Sequence, residues 1–278
     1  MTGSILGMEE RPWTTNELKR LSRTIRNSEP SDDVANYLEV MSWYNDLATD
    51  IQRSIACIDW QPLLSMRSVE VTSRPKTIDT LRQKLLRYTS IPLPNVQDIA
   101  GIRVEADMNL DEQDVVVEAI VEQLFQFNPQ VRDLREKPHS GYRAVHIWVY
   151  PFGGRAEIQV RTHTQGAWAN MYEAAGDRLG RGIRYGELPV DEEDRGFVLG
   201  LQKLSTHVAT RIEETRRELD KLDASKLQRA GSHRRQTDRS AMVQNQRKLR
   251  RQHSQAELEF RQRLDMLRRM FQQPRPNG

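Results

Sequence analysis

Glu157, Gln159 and Arg161 occupy alternate positions in a run whose other residues, Ala156, Ile158 and Val160, are apolar. In a strand this spacing puts the three polar side chains on one face. An acid, an amide and a guanidinium shown together meet either water or a charged ligand, and the pattern alone allows both. A second alternating run precedes it, with Val145, Ile147 and Val149 on one side and Tyr142, His146, Trp148 and Tyr150 on the other. Further upstream, Arg74, Lys76, Lys84 and Arg87 can form a row of positive charge suited to a polyphosphate. A plain basic amphipathic helix has the same composition. Asp98 stands at the entrance to an apolar run (Ile99, Ala100, Ile102, Val104), where Gly101 permits close backbone approach. It can serve chemistry there or simply cap a turn.

These side chains need strands and helices to hold them. Pro151-Phe152-Gly153-Gly154 separates the two alternating runs and reads as a hairpin turn, so the stretch from His139 to Thr162 organises the chain. Val69 and Val71 suggest a short strand, and Pro75 with the run from Thr77 suits the start of a helix. A helix is predicted from Asp111 to Phe127 (Val115, Ile120, Val121, Leu124), then a strand near Val131 to Leu134. At the N-terminal side, Thr15 is expected to cap a helix carrying Leu18, Leu21 and Ile25. Ser31 or Asp32 is expected to start a longer one, with Val34, Leu38, Met41, Leu47, Ile51, Ile55 and Ile58 as its apolar positions, ended by Pro62. After the hairpin come a helix closed by Gly180, a loop, and a helix from Asp191 to Asp220 with Val198, Leu201, Leu204, Val208 and Ile212 as its stripe. A break near Ala230-Gly231-Ser232 leads to a basic helix ending about Phe271, with a weak stripe of Leu249, Leu258, Leu264 and Leu267.

The 278 residues can bury a proper core, but 37% apolar and 29% charged residues place part of the chain outside it. Cys57 is the only cysteine, which excludes a disulfide framework and a cysteine metal cluster. No apolar run is long enough to cross a bilayer, and the first residues carry acids where a signal peptide has its basic and apolar regions. A soluble, cytoplasmic protein is expected. From Lys221 onward 15 Lys and Arg face 5 Asp and Glu, against 27 and 34 before it. An acidic body with a basic tail suits a partner rich in phosphate or acid, although a solvated helix has the same composition.

Taken in order, R-P-K with a further lysine at Lys84, D-I-A-G-I-R from Asp98, G-Y-R-A-V-H from Gly141 and E-I-Q-V-R-T from Glu157 resemble the RelA/SpoT alarmone synthetase domain, over roughly Val69 to Glu173. The resemblance implies an α/β (α+β) fold, a nucleotidyltransferase-like mixed sheet flanked by helices. Residues 1–62 would form a helical segment packing on a catalytic core at 63–190, with a basic helical extension at 191–278. It implies an ATP-dependent pyrophosphokinase that moves the β,γ-pyrophosphate of ATP to the ribose 3′-hydroxyl of GDP or GTP, with Mg²⁺ as cofactor. Asp98 and Glu157 would hold the metal, Glu157 also orienting or deprotonating the hydroxyl. Arg74, Lys76 and Lys84 would hold the ATP phosphates, with Arg103 in the same shell. Tyr142 would stack on the acceptor's base, His146 would reach its phosphate or ribose, and Gln159 and Arg161 would support that wall.

Two departures from the family pattern bear on the acceptor. Where the family usually reads P-N-G-Y, this chain has Lys137-Pro138-His139-Ser140-Gly141-Tyr142, one residue longer, in the loop that contacts the acceptor. Tyr172 and Glu173 stand where E-H is common. The His-Asp metal motif of the family's hydrolase domain is missing, which implies synthesis without hydrolysis. Three readings follow. The first is a guanine-nucleotide synthetase. The second is a toxin of the same family that pyrophosphorylates the 3′ CCA end of tRNA, with a protein antitoxin as a possible partner. The third is an inactive nucleotide- or RNA-binding module, against which the intact Asp98, Glu157, Arg74, Lys76 and Lys84 argue.

Overall fold

The computed structural model describes residue 7 and residues 9–27, 36–228 and 236–272, except for the side chains of residues 74, 75, 226–228, 236–241 and 271–272. Backbone contacts divide the chain into two compact units, Met1–Asp107 with Asp114–Asp133 and Val145–Arg161, and Met108–Gln113 with Leu134–Ala144 and Thr162–Gly278. The N-terminal helices group with the sheet, and residues 162–190 group with the C-terminal helices.

The first unit is built on a mixed five-stranded sheet of order β1-β2-β5-β4-β3. Its strands are β1 (Val69–Pro75), β2 (Ala100–Ala106), β3 (Gln130–Asp133), β4 (Val145–Val149) and β5 (Ala156–Thr162). The β4-β5 pair is the expected hairpin, antiparallel from Val145↔Val160 to Val149↔Ala156, and its turn is a short 3-10 segment at Pro151–Gly153. Alternation gives the sheet one apolar face: Ile102, Val104, Val145, Ile147, Val149, Ile158 and Val160 are all buried. Burying such a side chain contributes about 1.5–3 kcal/mol, so this face is what holds the register. Helix α2 (Tyr37–Ala56) packs on β1 and β2, burying Val40, Met41, Leu47, Ile51 and Ile55.

One helix start differs from expectation, and the expected position of another lies outside the described residues. Thr14 caps α1 (Thr15–Asn27), accepting from Glu17 N while Glu17 Oε2 accepts from Thr14 N, so Thr15 is the first helical residue. Asn36 caps α2; a start at Ser31 or Asp32 falls outside the described residues, as does Val34. Leu38 points to solvent, because the buried stripe of α2 begins at Val40. In α5 (Leu110–Gln123) the buried apolar positions are Val116, Val117 and Ile120, and Val115 is exposed.

Between α2 and α5, α3 (Gln61–Leu64) is one turn long and α4 (Ile78–Arg87) is capped by Thr77. The carbonyls at and beyond the end of α4 are taken by one side chain of α1. Arg26 donates from Nε to Leu85 O (2.8 Å) and from Nη2 to Thr89 O (2.9 Å) and Ile91 O (3.1 Å). Helix ends leave such groups without partners, so this contact fixes where α4 stops and how it lies.

The second unit is helical: α6 (His163–Leu179), α7 (Glu192–Lys203), one π turn (Leu204–Ala209), α8 (Thr210–Gln228) and α9 (Gln236–Gln272). Its core gathers Trp168, Met171 and Tyr172 with the expected stripe Val198, Leu201, Leu204, Val208 and Ile212, and with Ala256, Phe260, Leu264 and Leu267 of α9. Leu249 is buried as expected, but Leu258 is exposed; Ala256 and Phe260 supply that part of the stripe. The Ala230-Gly231-Ser232 break lies outside the described residues.

Candidate active site

The apolar face of the sheet leaves the other face polar. In β2 the alternation places Gly101, Arg103 and Glu105 opposite the buried Ile102 and Val104, and Arg74 and Thr72 of β1 stand across from Gly101 and Arg103. In the hairpin His146 faces Gln159 and Trp148 faces Glu157. Cross-strand partners share a face, so the register brings the expected acid, amide, guanidinium and imidazole together.

Glu157 is 8% exposed, and both of its oxygens are engaged. Oε1 accepts from Trp148 Nε1 (3.1 Å) and lies 3.1 Å from His146 Nδ1, while Oε2 accepts from Gln159 Nε2 (2.8 Å). Gln159 Oε1 in turn accepts from Arg161 Nη2 (2.6 Å), and Arg161 Nη1 lies 3.6 Å from Glu105 Oε1. Burial raises the pKa of Glu157, but the hydrogen bond and charge of His146 and the Gln159 amide outweigh it and hold the value below the usual one. The charge of Asp98 opposes this lowering, which places the two carboxylates within electrostatic reach of each other.

Asp98 sits at the entrance to β2. Lys76 Nζ donates to its Oδ2 at 2.6 Å and Lys84 Nζ to its Oδ1 at 2.7 Å. Lys76 directly precedes the cap of α4, and Lys84 lies about two turns from that cap, so both reach the same carboxylate. Burial raises the pKa of Asp98, yet the two ammonium groups bring it down to about 2. The backbone beside it is tied to the hairpin. Gln97 Nε2 donates to Ala156 O (2.8 Å), and Arg155 reaches Pro94 O (3.1 Å) and Gln97 Oε1 (3.3 Å). The neighbours of Asp98 are thereby bonded to the neighbours of Glu157.

Of the expected site residues, Asp98, Lys76 and Lys84 form one ion-paired cluster; Glu157, His146, Gln159 and Arg161 form one hydrogen-bonded network, and Arg103 shares their face. The Arg74 side chain lies outside the described residues, although its backbone belongs to β1. Tyr142 does not share the strand face of His146. Strand β4 begins at Val145, and Tyr142 closes a tight turn with His139, its N donating to His139 O (2.9 Å). Tyr142 and the exposed Lys137 belong to the second unit. Trp148 was missing from the expected site. Its parity with His146 was legible, and an indole N–H on a half-buried strand face needs an acceptor.

The donor set suits a hard divalent cation. Carboxylates of Asp98 and Glu157 come from adjacent strands and feel each other's charge. No group of three or more His, Cys, Asp or Glu that could hold a metal occurs among the described residues, but Mg²⁺ with a polyphosphate needs only one or two protein carboxylates.

Fold and face define a class: an α/β domain presenting paired carboxylates and converging lysines from the ends of adjacent strands, a set that can handle polyphosphates. Residues 73–176 match the model of the region found in RelA/SpoT proteins. Uncharacterised proteins of Mycobacterium tuberculosis and Mycobacterium bovis are each 44% identical to the chain over 179 residues. The chain spans 64% of the length of these curated relatives, and the match covers 64% of this chain. Among solved structures, small alarmone synthetase 2 from Bacillus subtilis matches 67% of this chain and 99% of its own with a TM-score of 0.54 at 19% identity. Small alarmone synthetase 1 from Bacillus subtilis bound to its product pppGpp matches 66% and 98% with a TM-score of 0.52 at 22% identity. At these identities the shared property is the fold, and it is the expected α/β sheet with flanking helices. No helix among the described residues is long and apolar enough to cross a membrane.

Proposed function

We propose that the chain is a pyrophosphokinase that transfers the β,γ-pyrophosphate of ATP to the ribose 3′-hydroxyl of GDP or GTP. The observation that carries this reading is Asp98 gripped by Lys76 and Lys84 within electrostatic reach of Glu157. The acceptor's 3′-oxygen attacks the β-phosphorus, the bond from that phosphorus to the oxygen bridging the α-phosphate breaks, and AMP leaves with that oxygen. The hydroxyl proton passes to Glu157. A carboxylate held below its usual pKa is a weak base, so Glu157 acts chiefly by orienting the hydroxyl and stabilising the charge that develops as the proton leaves. Trp148, His146 and Gln159 fix its rotamer for that task.

Asp98 and Glu157 would hold Mg²⁺, which when bound neutralises triphosphate charge and polarises its oxygens. Lys76 and Lys84 then exchange one anion for another, leaving Asp98 for the phosphate oxygens. The ion pairs seen here keep both ammonium groups positioned, with one of their two charges offset by Asp98, until the triphosphate arrives. By the same family resemblance Arg74 and Arg103 join this phosphate shell, and Tyr142, Lys137 and His146 serve the acceptor. A guanine acceptor is supported by the solved relative of the same fold whose bound product is pppGpp.

A second acceptor follows from α9, where Arg247, Lys248 and Arg251 are exposed on one helix, as a site for tRNA phosphates requires. One experiment tests both. Purified chain is incubated with γ-labelled ATP and Mg²⁺, and with GDP, GTP or bulk tRNA. Label in a guanosine product is the expected result. Label in tRNA alone reassigns the acceptor, and label in neither product sinks the enzymatic reading.

A further inference from the structure

We infer that Ser205 and Glu213, on the helices that follow the matched family region, are positioning residues for the turn that carries Tyr142. The turn is demanding. Ser140 and Gly141 both have positive φ, 52° and 84°, and the His139↔Tyr142 bridge closes it. Two consecutive positive φ values at the centre of a four-residue turn are the type I′ requirement, which glycine meets easily and serine does not. A side chain at position 141 is also excluded by packing: a Cβ there would lie 2.9 Å from Trp168 Cζ2 and 3.1 Å from Gln202 Cα. The turn is seated on Trp168 of α6 and Gln202 of α7.

A strained turn persists only where its surroundings over-determine it. Two contacts do so here. Ser205 Oγ donates to Gly141 O at 2.5 Å, and Ser205 is buried in the single π turn between α7 and α8. The wider register of that turn is closed by Thr210 N donating to Ser205 O, and single π turns recur at functional positions in helices. On the other side of Tyr142, Arg143 is 5% exposed and its Nη1 lies 2.5 Å from Oε2 of Glu213, itself 3% exposed. Oε1 of Glu213 accepts from Thr162 Oγ1 (3.0 Å) and Gln165 Nε2 (2.8 Å), the pair that caps α6. Arg143 Nε also donates to Arg135 O (3.3 Å), and Arg135 donates to Gln113 Oε1 (3.2 Å), which closes the network around the base of the loop. Tyr142 is therefore held between a hydroxyl on the residue before it and a buried carboxylate on the residue after it.

The consequence for function rests on the reading of Tyr142 as the acceptor's stacking partner: the π turn and α8 set the acceptor's affinity and leave donor affinity alone. The test uses the full chain with Ser205→Ala, Glu213→Gln and Tyr142→Ala. Ser205→Ala removes one hydroxyl and keeps the buried ion pair, so it stays informative if Glu213→Gln folds poorly. Hydrogen exchange is followed in the peptide spanning 134–144, and steady-state KM is measured for acceptor and for ATP. Ser205→Ala should raise exchange in that peptide about tenfold, leave the β2 and β5 peptides unchanged, and raise acceptor KM about tenfold at constant ATP KM. Unchanged exchange in Ser205→Ala overturns the positioning role whatever Tyr142 does. Faster exchange with an unchanged acceptor KM, in Ser205→Ala and Tyr142→Ala alike, keeps the clamp and overturns instead the reading of Tyr142. Equal rises in both KM values show a general loss of structure and overturn the acceptor-specific role.

Discussion

Replacing Asp98 by asparagine tests the electrostatics of the site without any assumption about substrates. The carboxyl pKa falls from its ordinary 3.8 to about 2 because Lys76 and Lys84 favour the charged form more than burial disfavours it. That lowering corresponds to about 2 kcal/mol at neutral pH, an order-of-magnitude figure for a side chain one quarter exposed. The Asp98→Asn variant would also remove the carboxylate that both ammonium groups share, Lys76 being the more buried at 11% side-chain exposure against 25% for Lys84. For a domain of this size about 2 kcal/mol lowers Tm by roughly 4–8 °C. The folded-state pKa lies below the unfolded one, so the stabilisation is fully present above about pH 4 and is lost as the pH falls through about 2. Thermal melts of wild type and Asp98→Asn should therefore differ most at pH 7 and converge from pH 4 towards pH 2. Equal Tm values at pH 7, or a difference that persists undiminished at pH 2, would refute the ion-paired arrangement. The variant should still fold, since domains have about 5–15 kcal/mol of stability, and should be inactive in transfer.

The remaining predictions concern function. Glu157→Gln should lower kcat about 10²–10⁴-fold with ATP binding retained, because it removes the charge beside the reacting hydroxyl; turnover within about threefold of wild type removes Glu157 from the chemistry. Trp148→Phe deletes one charge-assisted hydrogen bond to Glu157 and should cost about tenfold in kcat at constant ATP Kd, with a fall in affinity alone showing that Trp148 only packs. Replacing Arg247, Lys248 and Arg251 by Gln should leave transfer to nucleotide unchanged, and a selective loss on tRNA would give the basic helix the acceptor role.

The sheet and most helices were legible because their signals were local. Period-two alternation in the hairpin named both faces, and every residue assigned to the apolar side of β4 and β5 is buried. What failed was alternation carried beyond the strand. Tyr142 has the parity of His146, but Ser140 and Gly141 turn the chain with positive φ, and regular pleating starts only at Val145. The start of α1 moved by one residue where two threonines stand together; Glu17, three residues after Thr14, is the signal that selects Thr14 as the cap. Leu258 was misassigned because Ala256 and Phe260, not Leu258, stand in helical phase with Leu249, Leu264 and Leu267.

The candidate site shows the same division between local and distant signals. Lys76, Lys84 and Asp98 could be named from spacing and resemblance, yet their mutual grip could not, because 14 to 22 residues separate the partners. The grip changes what the residues mean. Two lysines without a counter-charge would describe a phosphate site waiting for an anion, whereas two lysines closed on one aspartate describe a site where one of the two positive charges is already offset. Substrate binding is then an exchange of counter-ions, so its net gain is the difference between two sets of paired interactions. Metal and triphosphate together can make that exchange even, since one replaces the lysines at Asp98 and the other replaces Asp98 at the lysines. Triphosphate without a divalent cation would have to displace the carboxylate and leave it buried without a partner. On this argument, binding of a non-hydrolysable ATP analogue should weaken at least about tenfold when Mg²⁺ is removed by chelation. Asp98→Asn should lose much of that dependence, because the lysines no longer have a carboxylate to release.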